Sequence, residues 1–155
     1  MGSDLLQGAF RAVRAVNQRG QVNEALQVAT SRIFCEAREC QNITAADSTH
    51  LVLEIVDPAY AASGASYPLD PYDPHNVLVV TYSTDGKGKL LRTVEPKLGS
   101  SPPAATEVVA EGIQGLSAVW SPSVLPGTLA VSVSINDDNL GVRTLTGEIF
   151  PMAAR

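Results

Sequence analysis

Two cysteines, Cys35 and Cys40 in the run Cys-Glu-Ala-Arg-Glu-Cys, are the first residues whose type and spacing suggest chemistry. Two thiols are too few for a zinc site on their own, and neither His50 nor His75 stands at finger spacing from them. The separation is also not that of a redox Cys-x-x-Cys. Two readings are left, a local structural disulfide or two buried free thiols, and the disulfide is the one taken forward. In an ideal helix, residues five apart lie ~8–9 Å from each other and point about 140° apart. A bridge needs Cα atoms within ~7 Å. A Cys35–Cys40 bridge therefore predicts that the chain tightens or unwinds between Glu36 and Cys40, and that the domain folds in an oxidising compartment.

Other reactive sets fail on spacing. No Gly-x-Ser-x-Gly elbow surrounds any serine, and Gly86-Lys87-Gly88 is too short for a phosphate loop. His50 opens a strand pattern and His75 follows Asp73-Pro74, so both read as structural. Asp70 and Asp73, joined by Asn76, and the run Asn136-Asp137-Asp138-Asn139 are weak calcium candidates. Calcium wants six to eight oxygens from a loop of defined spacing, and solvated turns describe both runs better. Asn42-Ile43-Thr44 matches the glycosylation sequon, a pattern common by chance. No enzyme, cofactor or metal site is expected.

The charge balance points the same way. The chain has 155 residues, a net charge of −5 and 45% apolar residues, enough for one domain with a real core. An acidic surface does not suit a nucleic-acid binder, which needs clustered Lys and Arg. Nucleic acid stays open as a partner without support from the net charge, and Arg11, Arg14 and Arg19 form a local basic patch that reads first as a solvated helix face. That patch also suits anionic lipid or acidic neighbours. The longest apolar runs are too short to span a bilayer. Met1-Gly2-Ser3 reads as a cloning remnant, so a single domain is expected over 4–155.

Residues 4–40 hold no proline and are rich in helix formers. Their apolar positions fall into two stripes: Leu6, Phe10 and Val13, then Val22, Leu26, Ala29, Ile33 and Ala37. The stripe turns by about 180° across Asn17 to Gln21, at ~100° per residue. Either two helices fold back at Gly20, or one helix uses opposite faces in its two halves. The second is preferred, because Gly20 is a weak breaker with no proline beside it.

After Cys40 the period becomes two, and 41–155 reads as a β region. Strands are expected over Thr49–Val56, Val77–Ser83, Lys89–Val94, Thr106–Ile113, Leu116–Trp120, Thr128–Ile135 and Leu140–Ile149. Asp85-Gly86-Lys87-Gly88 is a hairpin turn. Residues 57–76 form a long connection with four prolines and Tyr60, Tyr67 and Tyr72, a candidate binding loop. Leu129, Val131, Val133 and Ile135 alternate strictly with polar neighbours, which marks a sheet with one buried face. The second helical stripe is the expected cover. The fold expected is therefore α+β, a long N-terminal helix packed on antiparallel β-sheet.

The order of elements resembles the type IV pilin-like family, in particular minor pilins and pseudopilins of the W and J types. The resemblance rests on Asn76 to Gly86 with Tyr82, the return Lys89-Leu90-Leu91-Arg92-Thr93, and Val108-Val109-Ala110-Glu111-Gly112-Ile113-Gln114-Gly115-Leu116 before the last strand pair. The amphipathic stretch Ala25 to Asn42 matches in kind. The family's N-terminal apolar segment is absent from the sequence. The resemblance implies a pilin-like roll and a structural subunit of a bacterial type IV pilus, in its tip or priming complex. It also allows a minor pseudopilin of a type II secretion system. A binding module of another class, an adhesin or DNA-uptake receptor displayed on the filament, is a further alternative. The implied partners are other pilin or pseudopilin subunits and, through the missing segment, the inner membrane. The implied location is extracytoplasmic, in the periplasm or a cell-surface filament. Leu6, Phe10 and Val13 would then face neighbouring subunits, and Val22, Leu26, Ala29 and Ile33 the subunit's own sheet.

Overall fold

A computed structural model describes residues 2–56, 73–98, 103–122, 127–137 and 141–151, with side chains of 2–13, 18 and 137 left out. One helix, α1 (Gly2–Glu39), opens the chain. It runs through Gly20 without a break, so the two-helix reading falls. Among the described residues eight strands follow: β1 (Asn42–Ala46), β2 (His50–Val56), β3 (Val77–Thr84), β4 (Lys89–Pro96), β5 (Ala105–Glu111), β6 (Ile113–Ser121), β7 (Thr128–Asp137) and β8 (Gly141–Ile149). A 3-10 turn at Pro74–Asn76 leads into β3.

The strands form two antiparallel sheets, one in the order β1-β2-β3-β4-β5 and one in the order β6-β7-β8. The expected α+β fold, a long helix packed on antiparallel sheet in a pilin-like roll, is thereby corrected. The described chain is mostly antiparallel β-sheet with a single N-terminal helix. The physical reason is that the second sheet shares the covering that the sequence assigns to the helix alone. Strand β6 lies against β1, β2, β3 and β4. Its Ile113, Leu116 and Ala118 enter one core with Leu51, Leu53, Val80, Tyr82 and Leu90 of the larger sheet. The last part of α1 fills the side where β5, β7 and β8 are exposed to it.

Local chemistry explains the elements. Asp85 Oδ1 accepts from the amides of Lys87 and Lys89 at 2.7 and 2.9 Å, closing the β3–β4 turn. Gly86 and Gly88, at φ +70° and +91°, supply the left-handed conformations it needs. Those two amide bonds also hold the Asp85 carboxyl below its usual range. The chain leaves the first sheet at Gly112, φ +81°. The strands expected over Thr106–Ile113 and Leu116–Trp120 place that break at Gln114-Gly115. Gly115 instead lies within β6, at a bulge opposite Ser134, where a Cβ would strike the Ser134 hydroxyl. Strand β1 was not expected at all: its bulge between Ile43 and Ala45 breaks the period-two pattern in five residues.

Candidate functional site

The second stripe of α1 is locked down. Ala29, Ile33 and Ala37 are fully buried, Leu26 nearly so, and Val22 packs at the margin of the core. Thr30 returns its hydroxyl to the Leu26 carbonyl at 2.7 Å, so a buried polar group stays satisfied. Phe34 lays its ring on Gly147 of β8, where any Cβ would collide with it.

A polar clamp completes the attachment. Tyr82 Oη donates to Glu36 Oε2 at 2.6 Å. Arg92 donates from Nε to both Glu36 oxygens at 2.9 and 3.1 Å, and its Nη2 lies 2.7 Å from Oε1. Arg32 Nε lies 3.2 Å from the same oxygen. Glu107 of β5 takes Arg92 Nη1 at 3.0 Å and lies 3.6 Å from Arg32. Burial, reinforced by the bond to Glu36, raises the Tyr82 phenol far above its usual range. The phenol therefore stays a donor. Burial works against the Arg92 charge, but the Glu36 carboxylate raises its pKa. Tyr82, Arg92 and Arg32 contact the two Glu36 oxygens from both sheet and helix, so the cluster anchors α1 to the sheet.

The other half of α1 is different. Arg14, Ala15, Val16, Asn17, Arg19, Gly20 and Gln21 are all exposed, and Val16 shows 65% of its surface. At ~100° per residue these positions cover every side of the helix. This stretch is therefore exposed on every side up to Gly20, and Gln21 begins a groove against β5. Downstream of it, shallow grooves of about 300 and 250 Å³ flank the helix, one against Arg143, Thr144 and Leu145, the other against Val109, Ala110 and Glu111. Neither gathers a catalytic set.

The remaining expected site residues are placed as follows. The Cys35–Cys40 disulfide is corrected: both are free thiols, Cys35 exposed and Cys40 buried. Helix α1 holds its geometry to Glu39, so the two side chains diverge as helical residues five apart must. Cys40 donates instead to the Ala37 carbonyl at 3.2 Å, and burial raises its thiol to about 11. Leu6, Phe10, Val13 and Arg11 lie outside the described side chains, as do Asp137 and Asp138. Tyr60, Tyr67, Tyr72 and Asp70 lie outside the described residues. Asp73 caps the 3-10 turn, accepting from His75 N at 2.9 Å. Among the described residues no three His, Cys, Asp or Glu gather as metal ligands, and no helix is long and apolar enough to cross a membrane. Asn42 Nδ2 reaches Glu54 Oε2 at 3.4 Å, and Glu54 also pairs with Lys97 at 2.7 Å.

Sequence reasoning missed the clamp. Half of it was legible: counting back from the Asp85–Gly88 turn sets Tyr82 opposite Arg92, which is the register found. The carboxylate between them comes from a helix 46 residues away from Tyr82, and no spacing rule points to it. Comparisons of the chain with family models, curated proteins and solved structures give no match. The likeness to pilins therefore rests on the quoted residues alone. Tyr82, Leu90, Ile113 and Leu116 among them are core residues, and Arg92 belongs to the clamp.

Proposed function

We propose that this chain is a structural subunit of an extracytoplasmic filament of the type IV pilus kind, docking on neighbouring subunits through the free half of α1. The observation that carries this reading is the contrast within one helix. Arg14 to Gln21 is exposed wherever its side chains are described, while the same helix is clamped from Leu26 to Ala37. An unsupported helix with polar residues on most sides gains little from its own propensity and is usually held by tertiary or intermolecular contacts. Two arginines beside an exposed valine suit an acidic, partly apolar neighbour. A secretion-system pseudopilin is the alternative within the same class.

The test is recovery of the chain in filaments sheared from bacterial cells, measured by mass spectrometry. The wild type should be enriched in the sheared fraction. The double variant Val16→Asp, Arg19→Glu should fall at least ~10-fold there, a change of about 1.4 kcal/mol in docking, with unchanged total protein. A chain that stays wholly out of the filament fraction, or a variant incorporated as well as wild type, would refute the proposal.

A further inference from the structure

Two sheets leave four edges, and three of them are managed. Strand β1 is five residues long and bulged. Strand β5 carries Glu107 and Glu111 in ion pairs and is itself bulged at Val109, between the partners of Leu90 and Leu91. The free edge of β6 is tied to the first sheet, Ile113 N donating to the Gly88 carbonyl at 3.0 Å and Ala118 N to the Asp47 carbonyl at 2.7 Å. Strand β8 has α1 against one face, as β5 does, but among the described residues it has neither a bulge nor a backbone tie to the other sheet. It is nine residues long, pairs without a bulge along β7, and contains neither Pro nor Lys. Natural sheets use such devices because an open edge is a template for another strand.

Its side chains report the same vacancy. Leu145 sits opposite Val133, which is fully buried, yet Leu145 itself is 38% exposed. It faces the core side of the sheet and lines a shallow groove with Asn23, Leu26 and Gln27 of α1, left partly open to solvent. Val142, on the outer face, is 70% exposed.

We infer that β8 is a homodimer interface, pairing antiparallel with β8 of a second copy about a two-fold axis through Leu145. The sequence Gly-Val-Arg-Thr-Leu-Thr-Gly-Glu-Ile is self-complementary in that register. Leu145 meets Leu145 and each covers the other's exposed surface. Thr144 meets Thr146, extending the row in which Ser132 and Thr146 hydroxyls already bond at 2.9 Å. Arg143 meets Gly147 and Glu148 meets Val142, so no like charges face each other. A shift of two residues either way sets Leu145 against Arg143 or Gly147 and loses the central contact. The two three-stranded sheets become one continuous six-stranded sheet, and four edges on each protomer become three. The stretch Arg14 to Gln21 takes no part, so this contact stands or falls independently of the filament reading.

The experiment uses the purified full chain with Cys35→Ser, which removes the exposed native thiol. Leu145→Cys in that background should give covalent dimers on mild oxidation. Ser117→Cys, exposed on the far strand of the same sheet, should stay monomeric under identical conditions. Sedimentation of the wild type should show a monomer–dimer equilibrium, weakened at least ~30-fold by Leu145→Lys, the loss expected of a central interface residue. Equal cross-linking at positions 145 and 117, a wild type that remains monomeric at ~1 mM, where only a Kd weaker than that escapes detection, or a dimer untouched by Leu145→Lys would each overturn the assignment.

Discussion

The two halves of α1 have similar backbones and opposite circumstances. From Leu26 to Ala37 the helix presents a clean apolar stripe, and everything around it is committed: sheet residues to the stripe, Gly147 to Phe34, Tyr82 and Arg92 to Glu36. From Arg14 to Gln21 the apolar content drops to single residues, and no described side chain is buried. Helix propensity is comparable in both halves, so propensity does not separate them. What separates them is whether a stripe has a surface to meet. The anchored half is stability; in the other half the described side chains are exposed.

The largest effects should come from the anchored half. Ile33→Ala empties a fully buried site and should cost ~2–5 kcal/mol. Glu36→Ala leaves the Tyr82 hydroxyl without its acceptor and Arg92 with only the exposed Glu107 carboxylate, 3.0 Å from Nη1. Breaking a buried pair from one side costs about 3–5 kcal/mol. The side chains of Glu36 and Arg92 are 15% and 16% exposed, so water relieves part of that and about 2–3 kcal/mol is expected here. Urea denaturation measures both. If either costs less than ~0.5 kcal/mol, an ordinary surface effect, the helix is not anchored where the geometry puts it.

A smaller, pH-dependent effect follows from Cys40 at the end of the anchored half. Its folded pKa, about 11, lies above the ordinary 9.0 because burial disfavours the thiolate. A group whose folded pKa is raised favours the fold fully below its unfolded pKa, and that contribution is lost as pH climbs through the folded value. Stability should therefore decline between pH 9 and 11, by at most about 2–3 kcal/mol for two units. Cys40→Ala should flatten that slope relative to wild type. Under native conditions at pH 8, a thiol reagent should modify Cys35 quickly and Cys40 only as the chain opens. Equal reactivity of the two would contradict the burial of Cys40.

How much of this the sequence could reveal depends on the range of each interaction. The buried stripe Leu26, Ala29, Ile33 and Ala37 and the alternation Leu129, Val131, Val133, Ile135 are periodic, and periodicity is local, so their core faces were legible. The Asp85–Gly88 turn was legible for the same reason. The partition into two sheets was not. It depends on a single glycine at positive φ, Gly112, and on β6 packing against strands as far back as β1, a long-range contact with no spacing signature. The fold class failed there: one apolar sheet face had two possible covers, and the helix was chosen over the second sheet. The disulfide failed for an energetic reason. Spacing allowed a bridge, but only by unwinding a turn that the helix keeps, with Ala37 buried inside it and Cys40 bonded to its carbonyl.

The smallest expected effect is the one that tests the comparison most sharply. Val16 is 65% exposed, and the other described side chains from Arg14 to Gln21 are exposed too. Truncating it removes little surface from contact with anything, so Val16→Ala should change the stability of the isolated domain by less than ~0.5 kcal/mol. Alanine is also the better helix former, because the β-branched side chain loses rotamer freedom against the preceding turn. The substitution should thus be neutral or slightly stabilising in a purified, dilute sample. Docking reverses the sign: if Val16 inserts into a neighbouring surface, the same truncation removes buried apolar area and weakens assembly. Stability of the dilute domain and incorporation into filaments should therefore move independently for this residue. For Ile33→Ala they should fall together, since a loosened anchor lowers both. A Val16→Ala cost above ~1 kcal/mol in the dilute domain, well outside the ordinary surface range, would mean that the free half of the helix packs on its own subunit, and the division of α1 into anchor and docking element would be wrong.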